Sequence, residues 1–530
     1  MAKQSFVHGA IVLVASSLIT RVLGMVYRIF LARLIGPEGM GLFQMVFPLI
    51  GLAINLVLAG LPNAVSKLVA ESIVAGNHKR IRRIMIVTST SIITSAILFT
   101  VLLYWLSPWI THRILADPRA YYTLISTIPV ILIVAFSSIF RGYFQGMQNM
   151  TPIAVSNIIE TIVRIGSVWF LAAYFMRYGL AFAAAAAGIG MVAGEVFGLI
   201  FLMLRFYGRS RSRVRRYQST SSHTVGEPFR KTLYDIGEIA VPVTFSRIVG
   251  SLGWWGESVL VPRCLRWAGF SAAAATSLFG QYASMAYQLL VFPTVFTSSL
   301  TTTLIPAIAE AVAEKRMVTI SRRLYQSFRV TALIGLPISA VLTIFAIPLC
   351  QVIYNDAGVA PILVVMAPFG FFYYFNGPLS GILQGLNKAG LLMFHSIIGT
   401  IVRLGLIFLL ARQPHLHIIG VAIAFSVSSA VLALLNFMAV YRFVGFYFHI
   451  AETVKLIMST IILSGILIEL RQTNLGLGVT GNLIASLTIG FVVYVLLLLM
   501  CRVITVSDFE RIPRVGPILA QLARCVPFAK

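Results

Sequence analysis

Five arginines, Arg21, Arg28, Arg164, Arg247 and Arg403, lie inside stretches that are otherwise apolar enough to cross a lipid bilayer. A guanidinium at mid-bilayer costs roughly 2.5–3.5 kcal/mol even on the lenient insertion scale, so such residues usually face a water-filled cavity or a partner charge. Their fork of donors matches phosphate and carboxylate bidentately, which makes an anionic ligand the first chemistry to consider. Arg21 and Arg28 are seven residues apart, and on a helix they share a face with Ser17 and Gly24. Arg21 lies too deep in its span to snorkel easily. Arg247, followed by Ser251, Trp254, Trp255 and Glu257, holds a matching place further along the chain. The alternative for each is a structural ion pair.

The acids sharpen this choice. Glu160 and Arg164 stand at i and i+4 and can neutralise each other on one helix. Glu195 and Glu257 are intramembrane carboxylates that either carry a proton or cation in coupled transport or pair with one of the arginines. Gly190, Gly194 and Gly198 form a stripe of small residues that reads as close helix packing. Cys264, Cys350, Cys501 and Cys525 form no CxxC, and His415 and His417 have no further ligands nearby, so no metal site is expected. No Walker motif, nucleophile elbow or HExxH occurs, so neither an ATP-driven pump nor an enzyme is expected. Any energy input would come from a Na+ or H+ gradient, the membrane potential or the substrate gradient, and no cofactor is expected.

The elements that carry these residues follow from composition. A hydrophobic fraction of 58%, only 11% charged residues and a mean hydropathy of +0.92 place the chain among polytopic, all-α membrane proteins. With about 20 apolar residues per span, fourteen are expected: 8 to 33, 40 to 66, 84 to 106, 121 to 143, 153 to 176, 180 to 204, 236 to 261, 275 to 304, 330 to 350, 359 to 383, 391 to 411, 418 to 441, 453 to 470 and 481 to 504. The net charge of +25 gathers in loops on one side, which predicts both termini inside the cytoplasmic membrane and argues against a nucleic-acid partner. The densest cluster runs from Arg205 to Lys231 and divides the chain; it reads as a topology signal that also suits anionic lipid.

The two parts repeat each other. Residues 141 to 166 align without a gap to 380 to 405, matching Arg164 with Arg403, while Glu160 meets Gly399, so Arg403 lacks the local partner. Arg21 aligns with Arg247. An even number of spans per repeat makes the repeat parallel, with a substrate site expected at the interface between bundles. The organisation predicted is an N-lobe of six spans (1 to 206), a basic cytoplasmic linker (207 to 232), a C-lobe of six spans (233 to 445), two further spans (446 to 506) and a cytoplasmic tail (507 to 530).

The segment from Thr20 to Gly36, with Gly60 to Glu71 (GLPNAVSKLVAE), resembles the polysaccharide-exporter branch of the multidrug/oligosaccharidyl-lipid/polysaccharide flippase superfamily, related to the lipid II flippases. The resemblance covers essentially the whole chain. It implies a V-shaped, MATE-like transporter, monomeric, whose central cavity opens alternately to each side for undecaprenyl-diphosphate-linked saccharides in cell-wall or spore-cortex synthesis. Arg21 falls on one of the essential first-span arginines of the lipid II flippases. Tyr27 stands where they carry a second arginine, Arg28 where they carry an acid, and the second and eighth spans lack an internal arginine. On this basis Arg21, Arg28 and Arg247 are expected to bind substrate, with Glu160, Arg164, Glu195, Glu257 and Arg403 as secondary cavity or coupling residues. The competing expectation is an ion-coupled multidrug exporter on the same fold, whose cavity would be acidic or aromatic. A non-transporting scaffold has no need for costly intramembrane arginines.

Overall fold

A computed structural model describes residues 6–74, 78–217, 229–445, 450–473 and 476–504. Among these, helices account for almost the whole chain and no strand is present. In order they are α1 (Phe6–Leu58), α2 (Leu61–Val74), α3 (His78–Trp109), α4 (Ala120–Thr127), α5 (Val130–Gly146), α6 (Thr151–Phe175), α7 (Leu180–Tyr217), α8 (Phe229–Trp267), α9 (Ala272–Gly280) and α10 (Tyr287–Val291). They continue with α11 (Thr294–Ala313), α12 (Met317–Ile344), α13 (Ala346–Tyr354), α14 (Ala360–Met366), α15 (Gly370–Gly385), α16 (Ala389–Leu410), α17 (His417–Val444), α18 (Ile450–Gln472) and α19 (Gly478–Met500).

Twelve stretches among the described residues are long and apolar enough to cross a membrane, so the protein is a multi-pass membrane protein. The first, Ala15–Leu58, has 44 residues. At 1.5 Å per residue a straight helix of that length would be about 66 Å long, twice the apolar thickness of a bilayer. It is broken at Gly36, whose φ of 65° and ψ of −179° are ones that side-chain-bearing residues rarely adopt. Pro37 follows and lacks the backbone donor that would continue the ladder. The first two expected spans lie on either side of this break, and the expected seventh lies within α8. Other expected spans are interrupted: the fourth is divided between α4 and α5 at Pro129, and the tenth between α14 and α15.

The chain forms two compact units. One comprises Met1–Ser284 with Ile407–His417, the other Met285–Leu406 with Ile418–Lys530. In the first, Val65, Leu68 and Val69 of α2 close against Ile84 and Val87 of α3. In the second, Leu304 and Ile308 of α11, Leu324 of α12 and Leu379, Ile382 and Leu383 of α15 form one core. Lipid is as apolar as these side chains, so packing contact rather than water exclusion holds the helices together. Cys264 and Cys350 are buried free thiols, while Cys525, the segment 218–228 of the basic cluster and the tail from 505 lie outside the described residues.

Candidate functional site

The first unit holds the charged layer. Helices α1 and α6 run parallel, with two contacts that set their register: the Ser16 hydroxyl donates to the Ala154 carbonyl (2.9 Å), and Phe30 meets Trp169 edge to face at 5.9 Å. On that register Arg21 stands level with Glu160, and Arg28 level with Gly166 and Ser167. Ser17 and Arg21 are exposed and Arg28 is half-buried, and the apolar Leu18, Val22 and Val26 of the same stretch are exposed with them. Tyr27, between them, is buried and lies close enough to Arg28 and Arg164 to feel both charges.

Beside this face, α5, α6 and α7 enclose a four-residue ion network. Arg164 donates to Oε1 of Glu160, as the i, i+4 spacing requires. The other carboxylate oxygen, Oε2, accepts from Arg141 on α5 at 3.1 Å. Arg141 also stands 3.6 Å from Glu195 on α7. Glu160 and Glu195 are both nearly inaccessible. Breaking one partner of such a buried pair costs about 3–5 kcal/mol because it strands a charge.

The glycine stripe makes this approach feasible. A Cβ on Gly194 would come within 2.6 Å of the Glu160 carbonyl oxygen and 3.1 Å of Arg164 Cβ, so only glycine lets α7 lie so close to the charged turn of α6. Gly190 likewise faces Val168, and Gly198 faces Ser156.

Arg247 is placed differently. It is exposed on α8, and its carbonyl accepts from Ser251, whose hydroxyl in turn accepts from Asn55 of α1 at 2.7 Å. Trp254 packs edge to face on Phe47, with ring centroids 5.5 Å apart. Arg247 is therefore tied to the second half of α1, whereas Arg21 and Arg28 belong to the first half. Glu257 is buried and accepts from the Tyr282 hydroxyl at 2.6 Å. Of the residues singled out in the sequence, then, the structure joins Glu160, Arg164 and Glu195, and sets Glu257 apart with a tyrosine.

A second polar cluster lies where the first unit's helix ends converge. Arg119 forms 2.7 Å ion pairs with Glu38, just past the break in α1, and with Asp117. Asp117 also accepts from Thr276 of α9 at 2.9 Å, and Arg266 donates to the Ala116 carbonyl at 3.0 Å. Burial alone would push the Asp117 carboxyl up, yet hydrogen bonds from the Arg119 side chain and backbone and from Thr276 hold it below the usual carboxylate range. Its hydrogen bond to Asp117 correspondingly raises Arg119.

In the second unit the repeat counterpart of Arg164 finds neutral partners. Arg403 Nε donates to the Ser428 hydroxyl at 3.1 Å, and its guanidinium lies 5.0 Å from the Phe425 ring centroid. Nearby, His395 of α16 meets Asn436 of α17 at 2.8 Å, and Asn436 donates to Asn376 of α15 at 3.2 Å.

Arg141, Asn376, His395 and Asn436 were not visible as site residues in the sequence. Arg141 sits near the end of its span, where a basic residue reads as a topology signal. The other three are single polar residues on apolar helices, a pattern that carries no spacing.

Two family models match the chain. That for polysaccharide biosynthesis protein covers residues 6–312, more than half of it, and the MatE model covers 277–409. The chain belongs to the polysaccharide biosynthesis protein family. Within and around that family, it is similar to stage V sporulation protein B of Bacillus subtilis (strain 168), with 36% identity over 98% of this chain and 100% of the relative. Lipid II flippase MurJ of the same organism is 24% identical over 89% of each chain. In fold the family member resembles a solved lipid II flippase MurJ in an inward closed conformation, with a TM-score of 0.69, 14% identity, and coverage of 94% of this chain and 99% of that one.

Proposed function

We propose that this protein is a flippase that carries an undecaprenyl-diphosphate-linked saccharide, a peptidoglycan precursor of the lipid II type or a polysaccharide repeat unit, across the cytoplasmic membrane by alternating access. The observation that carries the reading is the arginine-rich layer of the first unit. Arg141 and Arg164 close on two carboxylates, Glu160 and Glu195, and Arg21 and Arg28 stand on α1, which packs beside α6. Arg141 and Arg164 are engaged by the carboxylates; Arg21 is exposed and Arg28 half-buried on α1.

On this reading Arg21, Arg28 and Arg247 attract the diphosphate, whose two phosphates suit bidentate guanidinium contacts. The polyprenyl tail stays in lipid while the saccharide passes through a hydrated cavity. Glu160 and Arg164 hold the layer in shape, Glu195 completes it, and Glu257 stands apart on α8 as a further coupling candidate. Membership of a polysaccharide biosynthesis family and likeness to a sporulation protein and a lipid II flippase support this cargo class. Both termini inside, a monomeric transporter and contact of the basic linker with anionic lipid belong to the same proposal.

The test is charge reversal, Arg21→Glu and Arg28→Glu, in cells that depend on this protein. Lipid-linked saccharide should accumulate on the inner leaflet at unchanged protein level; normal translocation in both variants would remove the arginine face from the binding site. A MatE-type drug exporter, favoured only by the shorter family match, would instead alter drug susceptibility on deletion and leave the precursor pool unchanged.

A further inference from the structure

The second unit contains a directed chain of hydrogen bonds that anion binding does not use. It begins at backbone carbonyls, which can only accept. Asn376 Nδ2 donates to the Phe372 carbonyl (3.1 Å) and the Ser429 carbonyl (3.4 Å), which fixes the orientation of this amide. Its Oδ1 therefore faces Asn436, and accepts from Asn436 Nδ2 at 3.2 Å. That in turn leaves Asn436 Oδ1 facing His395 Nδ1 at 2.8 Å. An amide oxygen only accepts, so Nδ1 carries the hydrogen and the neutral imidazole keeps its lone pair on Nε2. Three helices thus set one tautomer of a histidine that is 7% exposed.

The surroundings decide what a proton would do there. α15 contributes no charged residue, α16 contributes Arg403 about two turns along, and α17 contributes Arg442 near its end. Lys388 precedes α16. α12, whose Ile320 and Leu324 belong to the core on which Leu391 and Leu392 pack, brings Arg322, Arg323 and Arg329, and α11 brings Glu310, which is exposed. No carboxylate stands on the three helices that hold the imidazole. The neutral form is satisfied as it is; the imidazolium would be a buried cation among cations, stable only where water reaches it. Histidine is also the one side chain whose ordinary titration falls between pH 5 and 8.

We infer that His395 is a proton-binding site, taking a proton on Nε2, and that its loading drives the second unit into a more hydrated conformation and so couples transport to the proton gradient. The proton adds to the Nε2 lone pair, giving an imidazolium with two ring donors. For its cargo this rests on the lipid-diphosphate reading; for the proton site itself it does not. A ligand that binds one of two conformations better shifts the population toward it, and here the ligand is a proton.

The first experiment needs no substrate. In full-length protein labelled with 15N-histidine in lipid nanodiscs, the resonance missing from His395→Gln should be that of an Nδ1–H tautomer at high pH and should become doubly protonated as the pH is lowered. Asn436→Asp, which keeps the shape and puts a carboxylate beside the ring, should raise that midpoint by about one pH unit or more. A His395 signal that does not titrate, or a midpoint that Asn436→Asp leaves unmoved, overturns the site. The second experiment measures translocation of a fluorescent polyprenyl-diphosphate disaccharide in proteoliposomes. A one-unit pH gradient should change the wild-type rate severalfold and leave that of His395→Gln unchanged; a variant that still responds to the gradient overturns the coupling. Wild-type vesicles that move no lipid-linked saccharide at either pH would defeat the cargo assignment, while the nanodisc titration would still judge the proton site.

Discussion

The two copies of the sequence repeat place different charges at matching positions. In the first unit, the turn of α6 around Glu160 and Arg164 is met by Arg141 and Glu195, and four charges close on one another. In the second, the corresponding positions are Gly399, Arg403 and Ser380. Arg205-Phe206 of α7 aligns with Arg442-Phe443 of α17, so Glu195 corresponds to Leu432. Leu432 does lie against Gly399, 3.6 Å from where a Cβ would stand. One copy has built an ion layer, while in the other Arg403 meets the Ser428 hydroxyl and the Phe425 ring. The Ser156 position of the first copy has become His395 in the second. The aligned segments keep their apolar pattern, while the chemistry at matching positions is decided by a few polar residues.

The largest effect expected from breaking this contrast is that of Glu160→Ala. It strands Arg164 and leaves Arg141 with Glu195 alone, and thermal unfolding in detergent should show a loss of about 3 kcal/mol. Arg403→Leu in the second unit loses the hydrogen bond to Ser428 and the contact with the Phe425 ring. Its cost should be about 1–2 kcal/mol by the same assay; equal losses in the two variants would erase the distinction between the units.

Glycine packing gives a test of sign. Gly194→Ala should destabilise by about 1–3 kcal/mol, because its Cβ would meet backbone at 2.6 Å. Gly399→Ala, with nothing nearer than 3.6 Å, should be neutral or stabilising by up to about 1 kcal/mol through helix propensity.

The smallest expected effect concerns the polar cluster of the first unit. Asp117 is held below its unfolded value, so its contribution is complete above about pH 4 and is lost as pH falls through the lower folded value. Asp117→Asn should flatten that acid limb of the stability curve, while Glu310→Gln, at an exposed position of the second unit, should leave it intact.

Much of this was legible in the chain because it is local. Runs of apolar residues mark the spans, a seven-residue spacing puts Arg21 and Arg28 on one face, and an i, i+4 spacing joins Glu160 to Arg164. Where the break at Gly36 falls, or which half of α1 Arg247 approaches, was not legible, since both depend on how helices stack. The open question of Arg403 also needed the fold: its partners Ser428 and Phe425 lie on another helix, and no periodicity points to them.

The amino-acid sequence alone determined that this is a helical membrane protein with a two-fold internal repeat and arginines at membrane depth, because hydrophobicity and helical spacing act within a few turns of one segment. Only the tertiary structure decided which charges neutralise each other and which polar residues form a chain. Arg141 reaches Glu195, and Asn376 orients His395 through Asn436, across contacts that exist only once separate helices are packed side by side.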